Sequence, residues 1–289
     1  MLSKEDFNQV ISNGPLLLDG AIGSNLLNRG MPRGVCVESW VWEHPWVLAS
    51  LQREYIDAGS KALYTATFQA NPISLMQYDL DRRTEWINED VAKITKSVIP
   101  YGKRVLVIGS LTTLGFPSDN LDVDTMCMHY QRQIKGLING VIDLIVGETL
   151  LYPEEAEAIC MACELEGVPS YMLTFTMQSG GYLHNMNHAG SVLSYLEELG
   201  ASAVGFNCVP ADRFTPLLVR DLCRYIKGPL VCKPNAGVPI ITENGPDYGG
   251  DYHYFAQTLK ECRDNGAQIL GGCCGSTPDH IKATYLRLV

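Results

Sequence analysis

The sequence predicts one α/β domain, residues 1–289, in which eight parallel strands alternate with helices and close into a barrel. Eight short apolar runs are spaced along the chain, and segments with helical periodicity lie between them. Strands that alternate with helices pair in parallel through right-handed crossovers. No linker or low-complexity stretch interrupts the eight units, which favours a closed (β/α)8 TIM barrel. An open, doubly wound sheet is the alternative.

Helical periodicity is clearest in residues 153–163, between the fourth and fifth apolar runs. Ala156, Ile159, Cys160 and Cys163 recur there at i, i+3, i+4 and i+7, and Pro153 suits the first turn. This pattern predicts that Cys160 and Cys163 fill the core and are not a redox or metal-binding pair. The predicted strands are residues 16–18, 62–64, 105–108, 144–146, 170–173, 203–206, 230–232 and 268–270. The other predicted helices are roughly residues 46–58, 85–99, 124–140, 190–199, 212–227, 252–265 and 278–288.

Composition and charge exclude several classes of protein. A net charge of −10 argues against a nucleic-acid partner, because phosphate binding needs clustered Lys and Arg. Residues 1–14 contain no basic segment followed by an apolar one, and no run approaches 18 apolar residues, so neither a signal peptide nor membrane binding is expected. The ten cysteines are therefore interpreted as reduced thiols in a cytoplasmic protein.

Polar and metal-capable residues directly follow the predicted strands. Those singled out are Asp19, Gly20 and Ala21 after the first strand, Glu148 after the fourth, Cys208 after the sixth, Asn235 after the seventh, and Cys273 and Cys274 after the eighth. The active site of a (β/α)8 barrel lies where the C-terminal ends of the strands converge. We therefore expect Cys208 to meet Cys273 and Cys274 at one rim, where three thiolates suit a zinc ion.

A zinc site with three thiolates and one exchangeable position has a particular chemistry. A substrate thiol that enters the open position loses its proton, because the metal stabilises the thiolate. Electron donation from three sulfurs keeps the zinc a mild Lewis acid, which leaves the substrate sulfur nucleophilic and disfavours hydrolysis. The sequence therefore favours alkyl transfer onto a thiol. The alternative is that Cys208, Cys273 and Cys274 are buried cysteines without a metal.

These residues resemble the zinc-dependent homocysteine S-methyltransferases, and most of all the homocysteine-binding barrel of cobalamin-dependent methionine synthase. The resemblance covers nearly the whole chain. It rests on Asp-Gly-Ala at 19–21, Thr-Ala-Thr-Phe-Gln-Ala at 65–70, Gly-Glu-Thr at 147–149, Gly-Phe-Asn-Cys at 205–208, Pro-Asn-Ala-Gly at 234–237 and Gly-Gly-Cys-Cys-Gly at 271–275. The last motif, combined with the upstream Asn-Cys, is the most specific.

The resemblance implies a role for each site residue. Cys208, Cys273 and Cys274 would bind Zn²⁺, and the Asn235 side chain would fill the fourth position when substrate is absent. The Asp19-Gly20-Ala21 turn would offer backbone N–H groups to the substrate carboxylate, and Glu148 would receive the substrate ammonium. The implied reaction activates homocysteine as a zinc-bound thiolate, which accepts a methyl group from an unidentified donor to give methionine.

Several alternatives stay open at this point. Glu148 either binds substrate or only holds neighbouring loops, Asp19 either binds substrate or stabilises its own turn, and Asn207 either orients a ligand sulfur or satisfies a strand end. The acceptor is homocysteine or another small thiol, and the donor is a small molecule or a separate corrinoid protein. Residues 29–45 either shape the donor side or cover the barrel. A zinc-holding protein without catalytic activity is the remaining possibility.

Overall fold

The computed structural model describes residues 1–115, 122–178, 180–243 and 245–289. Its strands follow the apolar runs of the sequence closely. They are β1 (Leu16–Leu17), β2 (Ala62–Tyr64), β3 (Leu106–Leu111), β4 (Leu144–Leu150), β5 (Tyr171–Phe175), β6 (Ala203–Pro210), β7 (Leu230–Asn235), β8 (Ile240–Thr242), β9 (Gly245–Asp247) and β10 (Ala267–Leu270).

Eight of these strands form one parallel sheet in the order β1, β10, β7, β6, β5, β4, β3, β2. The two outer strands of that order lie side by side, because the Lys61 amide donates to the Leu17 carbonyl at 2.7 Å. The sheet is thus a nearly closed barrel, and the predicted (β/α)8 fold is confirmed. The remaining strands, β8 and β9, form an antiparallel hairpin in the connection after β7.

Helices occupy the connections between the barrel strands. They are α1 (Lys4–Ser12), α2 (Gly23–Asn28), α3 (Val37–Glu43), α4 (Pro45–Ala58), α5 (Pro72–Met76), a 3-10 turn (Asp81–Arg83), α6 (Thr84–Ser97), α7 (Val123–Asn139), α8 (Pro153–Leu165), α9 (Ala189–Glu198), α10 (Thr215–Leu222), α11 (Tyr252–Asp264) and α12 (Pro278–Leu288). The helix expected over residues 212–227 is shorter at both ends. Asp212 instead forms a turn before the helix, since its carboxylate accepts the amides of Phe214 and Thr215.

The interior of the barrel is a compact apolar cluster that is closed at the bottom by α1. Phe7 and Ile11 of this helix are buried and pack with inward-facing strand residues such as Leu18, Ile108 and Val231. The sequence analysis did not predict α1. Because α1 covers the N-terminal ends of the strands, the opposite end of the barrel is left for a site.

A larger apolar layer lies between the strands and the surrounding helices. Cys160 and Cys163 are both buried in this layer, which confirms their predicted place in the core. Cys232 and Cys262 are buried there as well. None of the described helices has the combination of length and apolarity that a membrane span requires.

Candidate metal and substrate site

A cavity of about 390 Å³ opens at the C-terminal ends of the strands. Tyr64, Glu148 and Cys208 line it, together with Cys273 and Cys274. Gly20 and Ala21 also line it, whereas Asp19 and Asn235 are buried and do not. Most of the residues expected at the rim of the barrel are therefore gathered around one cavity that is large enough for a small molecule.

The three cysteines lie together although the chain separates them. The sulfurs of Cys208, Cys273 and Cys274 all lie within 4.8 Å of one another, and each residue is half-buried. Cys208 belongs to β6, while the other two follow β10, and β7 lies between these strands in the sheet. We call these three residues the cysteine cluster.

The backbone departs from regular strand geometry beside the cluster. Strand β6 shifts register between Asn207 and Pro210, and β4 shifts between Gly147 and Leu150. Within the β6 irregularity Cys208 has a φ of 58°, a left-handed conformation that costs a non-glycine residue about 1–2 kcal/mol. Extra residues of this kind break the alternation of side chains along a strand. Neighbouring residues can then face the same cavity.

Residues 273–276 form a turn, which we call the double-cysteine turn, and its backbone is hydrogen-bonded to the end of β7. The Cys273 amide donates to the Pro234 carbonyl at 2.7 Å, and the Ala236 amide donates to the Cys274 carbonyl at 2.9 Å. Ser276 closes the turn by donating its hydroxyl to the Cys273 carbonyl at 2.7 Å. Both sulfurs are thereby carried on a backbone that is bonded to the next strand.

The protonation of the cluster indicates that it suits a cation. Hydrogen bonds from Cys208 and Cys273 lower the pKa of Cys274 to about 3, and hydrogen bonds with the other two sulfurs raise the pKa of Cys208 well above its usual value. The sulfurs therefore share protons around one thiolate. Zinc binds thiolates at about 2.3 Å, so three sulfurs this close together fit such an ion.

Asn235 lies at the end of β7, next to the double-cysteine turn. Its side chain is buried, and its amide oxygen has no hydrogen-bond partner in the described parts of the chain. A buried carbonyl oxygen without a partner is costly. This oxygen without a partner makes Asn235 suitable as a further metal ligand.

The buried side chains of Glu148 and Lys233 form the floor of the cavity, and the fully buried carboxylate of Asp19 lies close to them without lining it. Glu148 accepts the Ser110 hydroxyl at 2.8 Å, and the Lys233 ammonium lies 3.9 Å from its other oxygen. Asp19 accepts the Tyr64 amide at 2.9 Å through one oxygen, and its other oxygen has no partner among the described residues. Together these three side chains carry one net negative charge when all of them are ionised.

Burial governs the ionisation of these groups. Burial raises the pKa of Asp19 to about 7, and it also raises the pKa of Glu148. Burial by itself lowers the pKa of Lys233, but the charge of Glu148 and of Cys273 raises it above its usual value overall. Lys233 is therefore the cation that keeps the neighbouring acids partly ionised.

The turn after β1 differs in detail from the sequence-based expectation. The Ala21 amide donates to the Ser276 hydroxyl at 3.0 Å and so already has a partner. Gly20 has no room for a side chain, because a Cβ there would lie 2.7 Å from the Tyr55 hydroxyl and 2.9 Å from the Ser276 hydroxyl. The missing side chain of Gly20 makes room for Tyr55 and Ser276, and Gly20 itself lines the cavity. The Ala21 amide would have to leave Ser276 before it could bind a ligand.

Sequence reasoning overlooked Lys233 and Glu38, and both line the cavity. Lys233 is two residues after the inward-facing Val231 on β7, so strand alternation was a signal that could have found it. Glu38 lies in the first turn of α3 and accepts the Gln69 amide at 2.7 Å. Residues 29–45 thus form one wall of the cavity through α3.

The pattern of the homocysteine S-methyltransferase family matches residues 16–288. The chain belongs to this family. The methionine synthases of Mycobacterium tuberculosis and Mycobacterium leprae are 28% and 26% identical in alignments of 300 positions, and each alignment covers 96% of this chain. Those matches cover only 25% and 24% of the two relatives, so the chain spans about a quarter of their length.

Among solved structures, the metallated form of the homocysteine methyltransferase MmuM from Escherichia coli has a TM-score of 0.83 and 23% sequence identity. The match covers 97% of this chain and 98% of MmuM. The oxidised form of the same enzyme has a TM-score of 0.82. At this level of identity the likeness shows the shared barrel fold.

Proposed function

We propose that this chain is a zinc-dependent methyltransferase that transfers a methyl group to the sulfur of homocysteine and so produces methionine. The observation that carries the proposal is the cysteine cluster, three sulfurs within 4.8 Å of one another beside a cavity with buried carboxylates. Membership of the homocysteine S-methyltransferase family supports the same reaction.

Cys208, Cys273 and Cys274 would hold the zinc, and Asn235 would add its amide oxygen when no substrate is bound. Bound zinc supplies a Lewis acid that lowers the pKa of the substrate thiol. All three cysteines line the cavity, so a thiol that enters it can reach them. Sulfur-rich ligation leaves that thiol nucleophilic, which suits attack on a methyl group.

The floor of the cavity would recognise the amino-acid part of the substrate. Glu148, held by the Ser110 hydroxyl, would accept the ammonium, and Asp19 would add negative charge below it. The Gly20 backbone, which lines the cavity, would contact the carboxylate, and the Ala21 amide would do so after exchanging its bond with Ser276. A simple thiol without an ammonium would leave the buried acids unpaired and would bind less well.

The methyl donor would be a separate molecule that enters the cavity. Glu38 and the α3 wall would face it across the cavity, and a separate corrinoid protein is one source of the methyl group. The ten cysteines are all free thiols, which supports a reducing compartment such as the cytoplasm.

The test combines activity with metal analysis. Zinc-loaded protein is mixed with homocysteine and, in turn, with S-methylmethionine, S-adenosylmethionine, betaine and a methylated corrinoid, and methionine is measured. We expect methionine with at least one donor. Full zinc loading without methionine from any donor would refute the proposal.

Cysteine variants identify the ligands. Cys208→Ala should lose both zinc and turnover, because two thiolates hold zinc far less tightly than three. Cys223→Ala is the matched control, since Cys223 is also a half-buried free thiol but lies outside the cluster. One equivalent of zinc in Cys208→Ala would show that a different third sulfur is used.

A further inference from the structure

Two polar side chains beside the cysteine cluster donate hydrogen bonds to its sulfurs. The Asn207 amide nitrogen lies 3.7 Å from the Cys273 sulfur, and Tyr248 packs on Gly275, directly after Cys274, where its hydroxyl acts on the Cys274 sulfur as a hydrogen-bond donor. On the basis of the proposed function, we propose that Asn207 and Tyr248 are positioning residues that orient these two sulfurs and weaken their electron donation to the metal. The sequence left open whether Asn207 orients a ligand sulfur, and it assigned no role to Tyr248.

The orientation of the Asn207 amide is fixed by its other partners. Its oxygen accepts the Thr149 backbone amide at 2.7 Å and the Thr174 hydroxyl at 3.0 Å. A backbone N–H can only donate, so the oxygen must be on that side and the NH2 group must point toward Cys273. The NH2 group also donates to the Thr149 hydroxyl at 2.6 Å. Asn207 therefore has little freedom to rotate away from the sulfur.

Close backbone contacts of Gly237 and Gly275 place Tyr248 against the double-cysteine turn. A Cβ on Gly275 would lie 2.4 Å from the Tyr248 Cβ, so the tyrosine packs directly on the residue after Cys274. A Cβ on Gly237 would lie 2.7 Å from the Tyr248 carbonyl oxygen. Close packing of these glycine backbones brings the hydroxyl within reach of the sulfur.

A second contact holds the chain in place two residues after Tyr248. The Gly250 carbonyl lies 3.1 Å from the His280 ring nitrogen, and His280 is fixed in turn by Thr277 at the start of α12. The contact between Tyr248 and Cys274 is thus held on both sides. It is part of the fold and does not depend on a freely rotating surface side chain.

Hydrogen bonds to a ligand sulfur have predictable effects on a metal. They draw electron density away from the sulfur and fix its direction, and loss of such partners typically changes metal affinity or activity by about 10–100-fold. Two sulfurs of the cluster receive such bonds, from Asn207 and Tyr248. The third, Cys208, is directed by its left-handed backbone. A metal with weakened sulfur donors is a stronger Lewis acid toward an incoming thiol.

Cobalt substitution tests this proposal without any methyl transfer. Tyr248→Phe retains the ring that packs on Gly275 but removes the hydroxyl. Because the Cys274 sulfur then donates more strongly, the sulfur-to-cobalt charge-transfer band should move to longer wavelength. Metal affinity, measured by competition with a chelator, should change by about tenfold. Tyr252→Phe is the control, since Tyr252 is a nearby half-exposed tyrosine that contacts histidine rings and not the cluster.

Asn207→Asp provides a second, independent variant. An aspartate retains the oxygen that accepts the Thr149 amide and the Thr174 hydroxyl but offers no N–H to Cys273. We expect a band shift in the same direction and a larger loss of metal affinity. Spectra of Tyr248→Phe and Asn207→Asp that coincide with that of the unaltered protein would overturn the proposal.

The failure of the proposed function is distinguishable from the failure of this inference. If the unaltered cobalt protein shows thiolate bands but never forms methionine, the methyltransferase proposal fails, while the band shift still decides the role of Tyr248. If the unaltered protein shows no thiolate band at all, the cluster is not a metal site and both proposals are refuted.

Discussion

Asp19 is the group whose substitution has the most clearly calculable effect. Burial raises its pKa from 3.8 to about 7, so the folded protein binds its proton more tightly than the unfolded chain. The protonated form is favoured in the fold, and stability due to this group is therefore lost as pH rises from about 4 to about 7. Above about pH 7 the lost free energy of unfolding stays constant at about 4 kcal/mol, which corresponds to a shift of about three pKa units.

Asp19→Asn removes this loss, because the amide has no charge to bury and its oxygen can still accept the Tyr64 amide. The variant should gain stability relative to the unaltered protein as pH increases. Between pH 5 and pH 8 the stability gained by the substitution should grow by about 3 kcal/mol. The growth is smaller than the full loss because, at pH 5, the unaltered protein has already lost the stability that corresponds to about one of the three pKa units. Urea unfolding of metal-free, reduced protein at the two pH values measures the difference.

Asp143→Asn is the matched control for that experiment. Asp143 also accepts a strand amide, from Val107 at 2.7 Å, but its side chain remains 23% exposed. Its replacement therefore removes no comparable burial cost. A gain for Asp19→Asn that is the same at both pH values would refute the burial argument. If Asp19 also binds substrate, the more stable variant should have a raised KM for homocysteine.

Three further substitutions test other parts of the structure by chemical unfolding. Lys233→Met should destabilise the protein by about 3 kcal/mol at neutral pH, because Glu148 loses its buried cation; unchanged stability would show that the pair contributes nothing. Val141→Asn should stabilise it by about 1 kcal/mol, because the exposed Val141 has a φ of 63°, which asparagine adopts more easily; a loss of stability would contradict this. Gly205→Ala should lower the free energy of unfolding by about 3 kcal/mol or more, because a Cβ would lie 2.1 Å from the Val231 carbonyl oxygen of the next strand. Near-native stability of this variant would show that β6 and β7 can move apart.

The barrel could be predicted because its strands are buried on both faces. Such strands appear in a sequence as short apolar runs, and their alternation with helical segments leaves few possible topologies. The position of the site followed from the same reasoning, since residues that end parallel strands share one rim. This is why Cys208 could be placed beside Cys273 and Cys274, although their role as metal ligands is still a prediction.

Other features depend on contacts that no local pattern encodes. The bond between Ala21 and Ser276 joins residues 255 positions apart, and it occupies an amide that the sequence left available for substrate. The helix α1 is a different case, because Ser3 caps it and its buried residues Phe7 and Ile11 have i, i+4 spacing, so the sequence did carry a helical signal that was overlooked. The charge of Lys233 was hidden within a strand, and its partners come from other strands of the barrel.

The irregular end of β6 has a consequence for protein engineering. Asn207 and Cys208 are adjacent, yet one contacts the Cys273 sulfur and the other lies beside it, which a straight strand would not allow. Copying only the three cysteines into another barrel would therefore turn one thiol toward the wrong side. A transplant has to carry the extra residue and its unusual backbone along with the sulfurs.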